Sequence, residues 1–184
     1  MILPFSTQLN GKPTMFTNKI VKGMWEHHPT LMQELSLSRQ LPEHYVFEDL
    51  TVFETSILKP KLHTIREDKN DRWKPGTKID FFINCRQPTM FRFAPVLPVV
   101  STQKIEIVYS GGSLNYADVY IDGELFLKNY NPHQVIKGVK SDDEKEEKII
   151  KLAQNDGFDS ADDFFSYFNK DFKGKIIHWT DLRY

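Results

Sequence analysis

From Lys61 onward the chain is a series of short β-branched and aromatic runs cut by turn-forming pairs, and this punctuation constrains the fold more than any other feature. The runs "LHTIR", "KIDFFIN", "FRFAPVLPVV", "KIEIVY", "DVYID" and "ELFLK" are separated by Pro75-Gly76, Gln87-Pro88, Gly111-Gly112 and Asp122-Gly123. Runs of this length and composition suit strands. Asp122-Gly123 between two of them is the strongest hairpin signal, because both residues tolerate positive φ. After residue 140 the apolar period lengthens. Ser141 and Glu144 predict a capping box, Ile149, Ile150, Leu152 and Ala153 form a stripe, and Gly157 ends the helix. A second short helix is expected, capped by Asp159 or Ser160, with Ala161, Phe164, Phe165 and Phe168 inward. "KGKIIHW" then reads as a closing strand. Five or six strands with a few helices predict an α+β fold, a small closed or half-closed β-barrel with flanking helices.

Upstream of Lys61 the signals are weaker. "PTMFTNKIVKGMW" predicts a short helix with Phe16, Ile20 and Val21 on one face and Gly23 as its stop. Residues 24–58 carry Pro29 and Pro42 and no clear period, which predicts an irregular excursion holding one helical turn. Its apolar residues, among them Leu31, Met32, Val46 and Phe47, predict that it docks on the domain. At least one of its aromatic side chains is expected within contact distance of Lys61 or Thr64. A length of 184 residues suits a single domain spanning 1–184, with the excursion as an insertion at about 24–58.

A net charge of −1 argues against a protein that coats nucleic acid by bulk electrostatics, so any basic site must be local. Residues 59–78 supply one. Lys59, Lys61, Arg66, Lys69, Arg72, Lys74 and Lys78 face only Glu67, Asp68 and Asp71, and the segment reads as one wall of a cleft for an anionic or nucleobase-bearing ligand. The single cysteine, Cys85, excludes an internal disulfide, and no Cys/His spacing suggests zinc; neither metal nor cofactor is expected. The apolar start is broken by Pro4 and Gly11, and no later run approaches a membrane span. A soluble cytoplasmic protein with no membrane partner is expected.

"KLHTIRED", "KPGTKIDF", "KIEI", "NDGFDSADDFFSYF" and "IIHW", in that order, resemble the ASCH domain, a member of the PUA-like β-barrel group. The resemblance covers residues 61–84 and 102–179, and "KIVKG" is similar to the helix that the family places just before its lysine. The chain departs from the pattern in two ways. The 37 residues between Gly23 and Lys61 stand where the family passes almost directly from glycine to lysine. Leu62 and His63 occupy positions where it often has threonine and a small apolar residue. The resemblance implies an RNA- or nucleotide-binding module with a cleft on the barrel. One branch of the family is a small amidohydrolase acting on N4-acylcytidines, and it implies a catalytic set at Lys61, Thr64 and Asp156, the last a shorter side chain than the family's glutamate. Arg66 matches the family's strand arginine. On this reading the partner is RNA, a nucleotide or a modified nucleoside, and the binding module is the favoured form, with the amidohydrolase as alternative.

Chemistry sets conditions on these candidates. A threonine nucleophile needs a base within hydrogen-bond reach, and Lys61 serves only if its pKa falls well below the usual value. Alternation along a strand puts Leu62, Thr64 and Arg66 on one face and Lys61, His63 and Ile65 on the other, so Lys61 must sit at a corner, which Pro60 permits. Arg66 has a simpler alternative as the ion-pair partner of Glu67, Asp68 or Asp156. Asp156, just before Gly157, reads more readily as a turn former. His63 is expected to be half-buried at the edge of the ligand site. Arg66, Trp73 and Lys74 complete the ligand-binding candidates; Trp73 could stack on a base, but covering the barrel end is its favoured role.

Overall fold

The computed structural model describes residues 1–37, 58–110, 116–131 and 143–184, and within them the chain is an α+β protein. The strands predicted from Lys61 onward are present: β4 (His63–Arg66), β5 (Lys78–Ile83), β6 (Phe91–Arg92), β7 (Leu97–Pro98), β8 (Ser101–Tyr109), β9 (Ala117–Ile121), β10 (Glu124–Tyr130) and β11 (Phe172–His178). Asp122 and Gly123 turn β9 into β10 with φ of 53° and 87°, the two positive values that a tight hairpin turn requires. Three strands precede these: β1 (Ile2–Phe5) and a small hairpin of β2 (Gln8–Leu9) and β3 (Lys12–Pro13). Leu3 and Phe5 alternate inward along β1, which pairs parallel with β5 at a sheet edge, where Pro4 costs no ladder bond.

Two sheets result. One has the order β10-β9-β8-β11-β4, antiparallel throughout; the other joins β1, β6 and β7 to β5. They meet where the chain changes partner: the Val99 amide donates to the Thr77 carbonyl at 2.8 Å and the Val100 amide to the His178 carbonyl at 2.8 Å. No ladder closes the two into a ring among the described residues.

Helix α1 (Phe16–His27) runs one turn past Gly23, and α2 (Pro29–Leu37) follows after His28, so Gly23 is no stop and residues 24–27 and 29–37 are helical and not irregular. The glycine answers to a tertiary need. A Cβ on Gly23 would stand 2.9 Å from the Lys61 carbonyl oxygen, closer than real side chains approach. The rest of the excursion, residues 38–57 with His44, Tyr45 and Phe47, lies outside the described residues, as do Ser141 and the predicted capping box. Helix α3 (Asp143–Asn155) buries Ile149, Leu152 and Ala153; α4 (Ala161–Tyr167) is capped by Ser160, whose hydroxyl accepts from the Asp163 amide at 3.1 Å. No helix among the described residues is long and apolar enough to cross a membrane.

The five-stranded sheet separates two cores. Ile65, Ile105, Ile107, Val119 and Ile176 pack under α3 and α4. Ile177 and Trp179, on the opposite face, join Phe5, Ile20, Met24, Phe81 and Phe93 from β1, α1 and the second sheet. Phe16 of one core meets Phe158 of the other edge to face, 6.2 Å between centroids, and the candidate site lies at this seam.

Candidate functional site

The segment before β4 is fixed from both sides. The Lys61 amide donates to the Lys19 carbonyl of α1 at 3.0 Å, and the Leu62 amide donates to the Asn155 carbonyl at the end of α3 at 2.8 Å. This is the corner that strand alternation demanded. Lys61 is 1% exposed and turns its ammonium onto Asp156, Nζ to Oδ1 at 2.8 Å, with the Asp156 carbonyl as a further acceptor.

Asp156 is placed by the end of α3. Gly157 takes φ 91°, its amide donates to Gln154 O at 2.8 Å, and the Phe158 amide donates to Ala153 O at 2.9 Å, the paired bonds of a Schellman ending. The turn that suggested a mere loop former is therefore what aims the carboxylate inward: Asp156 is 3% exposed. Its Oδ1 accepts from Lys61 Nζ and from the Ile65 amide at 3.0 Å and lies 3.6 Å from His63 Nδ1, so residues 61, 63 and 65 all converge on it. Gly157→Ala is expected to lower stability by about 2–3 kcal/mol, because φ 91° disfavours a side chain and the new Cβ would stand 2.8 Å from Lys61 Cδ and 2.9 Å from Phe16 Cε1. Urea unfolding measures it; an unchanged midpoint would mean that this turn does not hold the site.

The electrostatics follow from burial. Burial pushes the Lys61 amine down, against the pull of Asp156, to about 8, with Arg66 and Lys19 adding to the depression. Burial alone would raise Asp156, but the Lys61 charge and its hydrogen bond, with the His63 ring 3.6 Å away, hold it below the usual carboxylate range. His63 is wholly buried, not half-buried, and desolvation lowers its pKa. Its Nε2 meets the Tyr184 hydroxyl at 2.8 Å, which in turn accepts from Asn155 Nδ2 at 2.9 Å.

The other candidates are placed less centrally. Thr64 is buried on the opposite face of β4, paired with Ile177, and its hydroxyl makes no hydrogen bond among the described residues. Arg66 pairs with none of Glu67, Asp68 and Asp156; it donates to the Pro4 carbonyl at 2.7 Å and lies 5.5 Å from the centroid of the Phe5 ring, which Lys61 Nζ approaches at 6.0 Å. Phe5 thus borders both the ammonium and the face of β4 that holds Thr64. Trp73 is buried among core residues and has no open ring face for a base. Lys74 is exposed beside Asp71 at 3.5 Å. Lys69 pairs with Glu67 at 3.1 Å, so acids of the same segment pair with two of its cations, Lys69 and Lys74, while Asp68 and Asp71 also hold Lys175 from outside it.

Sequence reasoning passed over Lys19. It is buried, and its Nζ donates to Gly157 O at 2.8 Å and to Asp159 Oδ1 at 2.6 Å. Its place on the apolar face of Phe16, Ile20 and Gly23 was the available signal, since a lysine there must find partners. Phe5, Phe16 and Tyr184 gave no comparable local sign.

These residues define an α+β protein with a buried lysine–aspartate pair at the seam of its two cores. Comparison with family models, with curated proteins and with solved structures finds nothing that matches the chain.

Proposed function

We propose that the chain is an ASCH-type, PUA-like domain acting as a small amidohydrolase on a nucleobase-bearing amide of the N4-acylcytidine kind. The observation that supports this reading best is the Lys61–Asp156 pair, 2.8 Å apart and shielded from solvent, with the amine titrating at about 8. At pH 7 about a tenth of such an amine is neutral, enough to act as a general base. The neutral amine takes the proton of the attacking oxygen, from a water or from Thr64, as that oxygen bonds to the amide carbon. The proton then passes to the leaving nitrogen as the C–N bond breaks. Where Thr64 attacks, the ester it forms is afterwards hydrolysed by a water deprotonated in the same way, which releases the acid and frees the threonine. Asp156 holds the ammonium formed in between and keeps it aimed.

A second reading, a binding module for RNA or nucleotide, is favoured by one observation: the Thr64 hydroxyl makes no hydrogen bond to Lys61 or Asp156. One experiment separates the two. The protein incubated with N4-acetylcytidine is expected to release cytidine, followed by absorbance, and Lys61→Met or Thr64→Ala is expected to slow this at least about 100-fold. No release by the parent protein, together with salt-dependent binding of a short single-stranded RNA that Arg66→Glu weakens, would transfer the assignment to the module.

A further inference from the structure

Next to the lysine–aspartate pair lies a cleft of about 240 Å³ between the β2–β3 hairpin, the start of α1 and helix α4. It contains none of Lys61, Thr64 and Asp156. It does share two walls with them. Phe16 lines the cleft and carries Lys61 Nζ 4.8 Å from its ring centroid; Gly157 lines the cleft and touches Lys61 and Phe16 so closely that no Cβ fits. The Phe16 ring therefore borders both the cleft and the buried amine.

We infer that this cleft seats an uncharged nucleobase or nucleoside, with Phe16 as the partition that turns aside for the acyl group to reach Lys61; the inference rests on the amidohydrolase reading and names its binding site. Size is the first argument. Drug-sized ligands occupy pockets of about 300–1,000 Å³, and this one is smaller, suited to a single base with its sugar and not to a chain of nucleotides. Charge is the second. The ionised side chains lining the cleft are Lys12, Lys19, Asp159 and Asp163, which balance, so the cleft offers no net attraction to phosphate. Recognition chemistry is the third. Lys19 is 2% exposed, and two of its three N–H groups are taken by Gly157 O and Asp159 Oδ1, which leaves one for a carbonyl or ring-nitrogen acceptor of a base. Tyr167, partly exposed at 44% and tilted on Phe158 with centroids 5.6 Å apart, offers a ring face on which a base can stack.

Ser166 lines the cleft from the exposed face of α4, so Ser166→Trp fills it without entering either core. Calorimetric titration of cytidine, N4-acetylcytidine and cytidine 5′-monophosphate into the parent protein and Ser166→Trp tests the inference. The expected result is that both nucleosides bind the parent, that the monophosphate binds no tighter than cytidine, and that Ser166→Trp weakens nucleoside binding at least tenfold. Should Ser166→Trp fail to fold, Tyr167→Ala decides in its place. Parent-like binding and turnover in the filled variant would overturn the cleft assignment while leaving the Lys61 chemistry intact. A monophosphate that binds more tightly would overturn the uncharged-ligand assignment. A parent protein that neither binds nor deacetylates the nucleosides would end both the inference and the function on which it rests.

Discussion

Asp156→Ala is expected to cost about 3–5 kcal/mol of stability and to abolish the proposed deacetylation. The carboxylate is the side-chain counter-ion of a buried ammonium, and breaking such a pair from one side strands the other charge away from water. The substitution also takes the acceptor from the Ile65 amide and leaves Lys61 only the backbone carbonyl of residue 156. Removing both charges is expected to be milder. Lys61→Met/Asp156→Ala should recover a good part of the loss, since neither charge of the pair is then left without its partner, while the proposed deacetylation stays absent. Urea unfolding of the parent, both single variants and the pair gives the coupling directly. A single-variant loss below about 1 kcal/mol, or strictly additive effects, would mean that the pair does not hold the corner together.

Acid is expected to destabilise the fold well above the range of ordinary carboxylates. His63 and His178 are both wholly buried, their rings 5.3 Å apart, and burial holds them neutral; His178 is pushed down to about 3 by desolvation, with His63 and Arg183 adding to it. The unfolded chain binds protons at these histidines near pH 6.5 and the folded chain does not. Stability therefore falls as pH drops below about 6.5 and continues to fall towards pH 3. At about 1.4 kcal/mol per pH unit per group, His178 alone accounts for a loss on the order of 3–5 kcal/mol across that window. Asp156 acts in the same direction at lower pH, because its depressed pKa contributes stability above the unfolded carboxylate value that is lost as pH falls through the folded one. Thermal midpoints between pH 7 and pH 4 measure the slope, and His178→Leu should flatten it. An unchanged slope in that variant would place the acid sensitivity elsewhere.

The histidines, the lysine and the aspartate also mark where a linear reading stops. The strands from Lys61 onward were legible because period-two alternation and turn pairs are local properties, and Asp122-Gly123 carried its backbone geometry in its own two residues. The seam was not local. Gly23 has the look of a helix stop, and only the approach of the Lys61 carbonyl explains a glycine within a helix that continues to His27. Asp156 has the local signature of a turn, and the turn is real; its partner lies 95 residues earlier, a distance over which spacing says nothing. β1 is four residues long, contains a proline and finds its parallel partner at β5, so no hairpin signal announces it. The cations of residues 59–78 are a sequence fact, but Asp68, Asp71 and Glu67 fold back among them and with Lys175, and a count along the chain cannot register that.

The proposed role of Lys61 is tested most directly by the pH dependence of N4-acetylcytidine deacetylation. With a lysine base at about 8, kcat/KM is expected to rise close to tenfold per unit through the acidic range, level off above pH 8 to 9, and lose this profile in Lys61→Met. A rate that is flat from pH 6 to 9, or a Lys61→Met variant with the parent's profile, would contradict the assignment of Lys61 as the base.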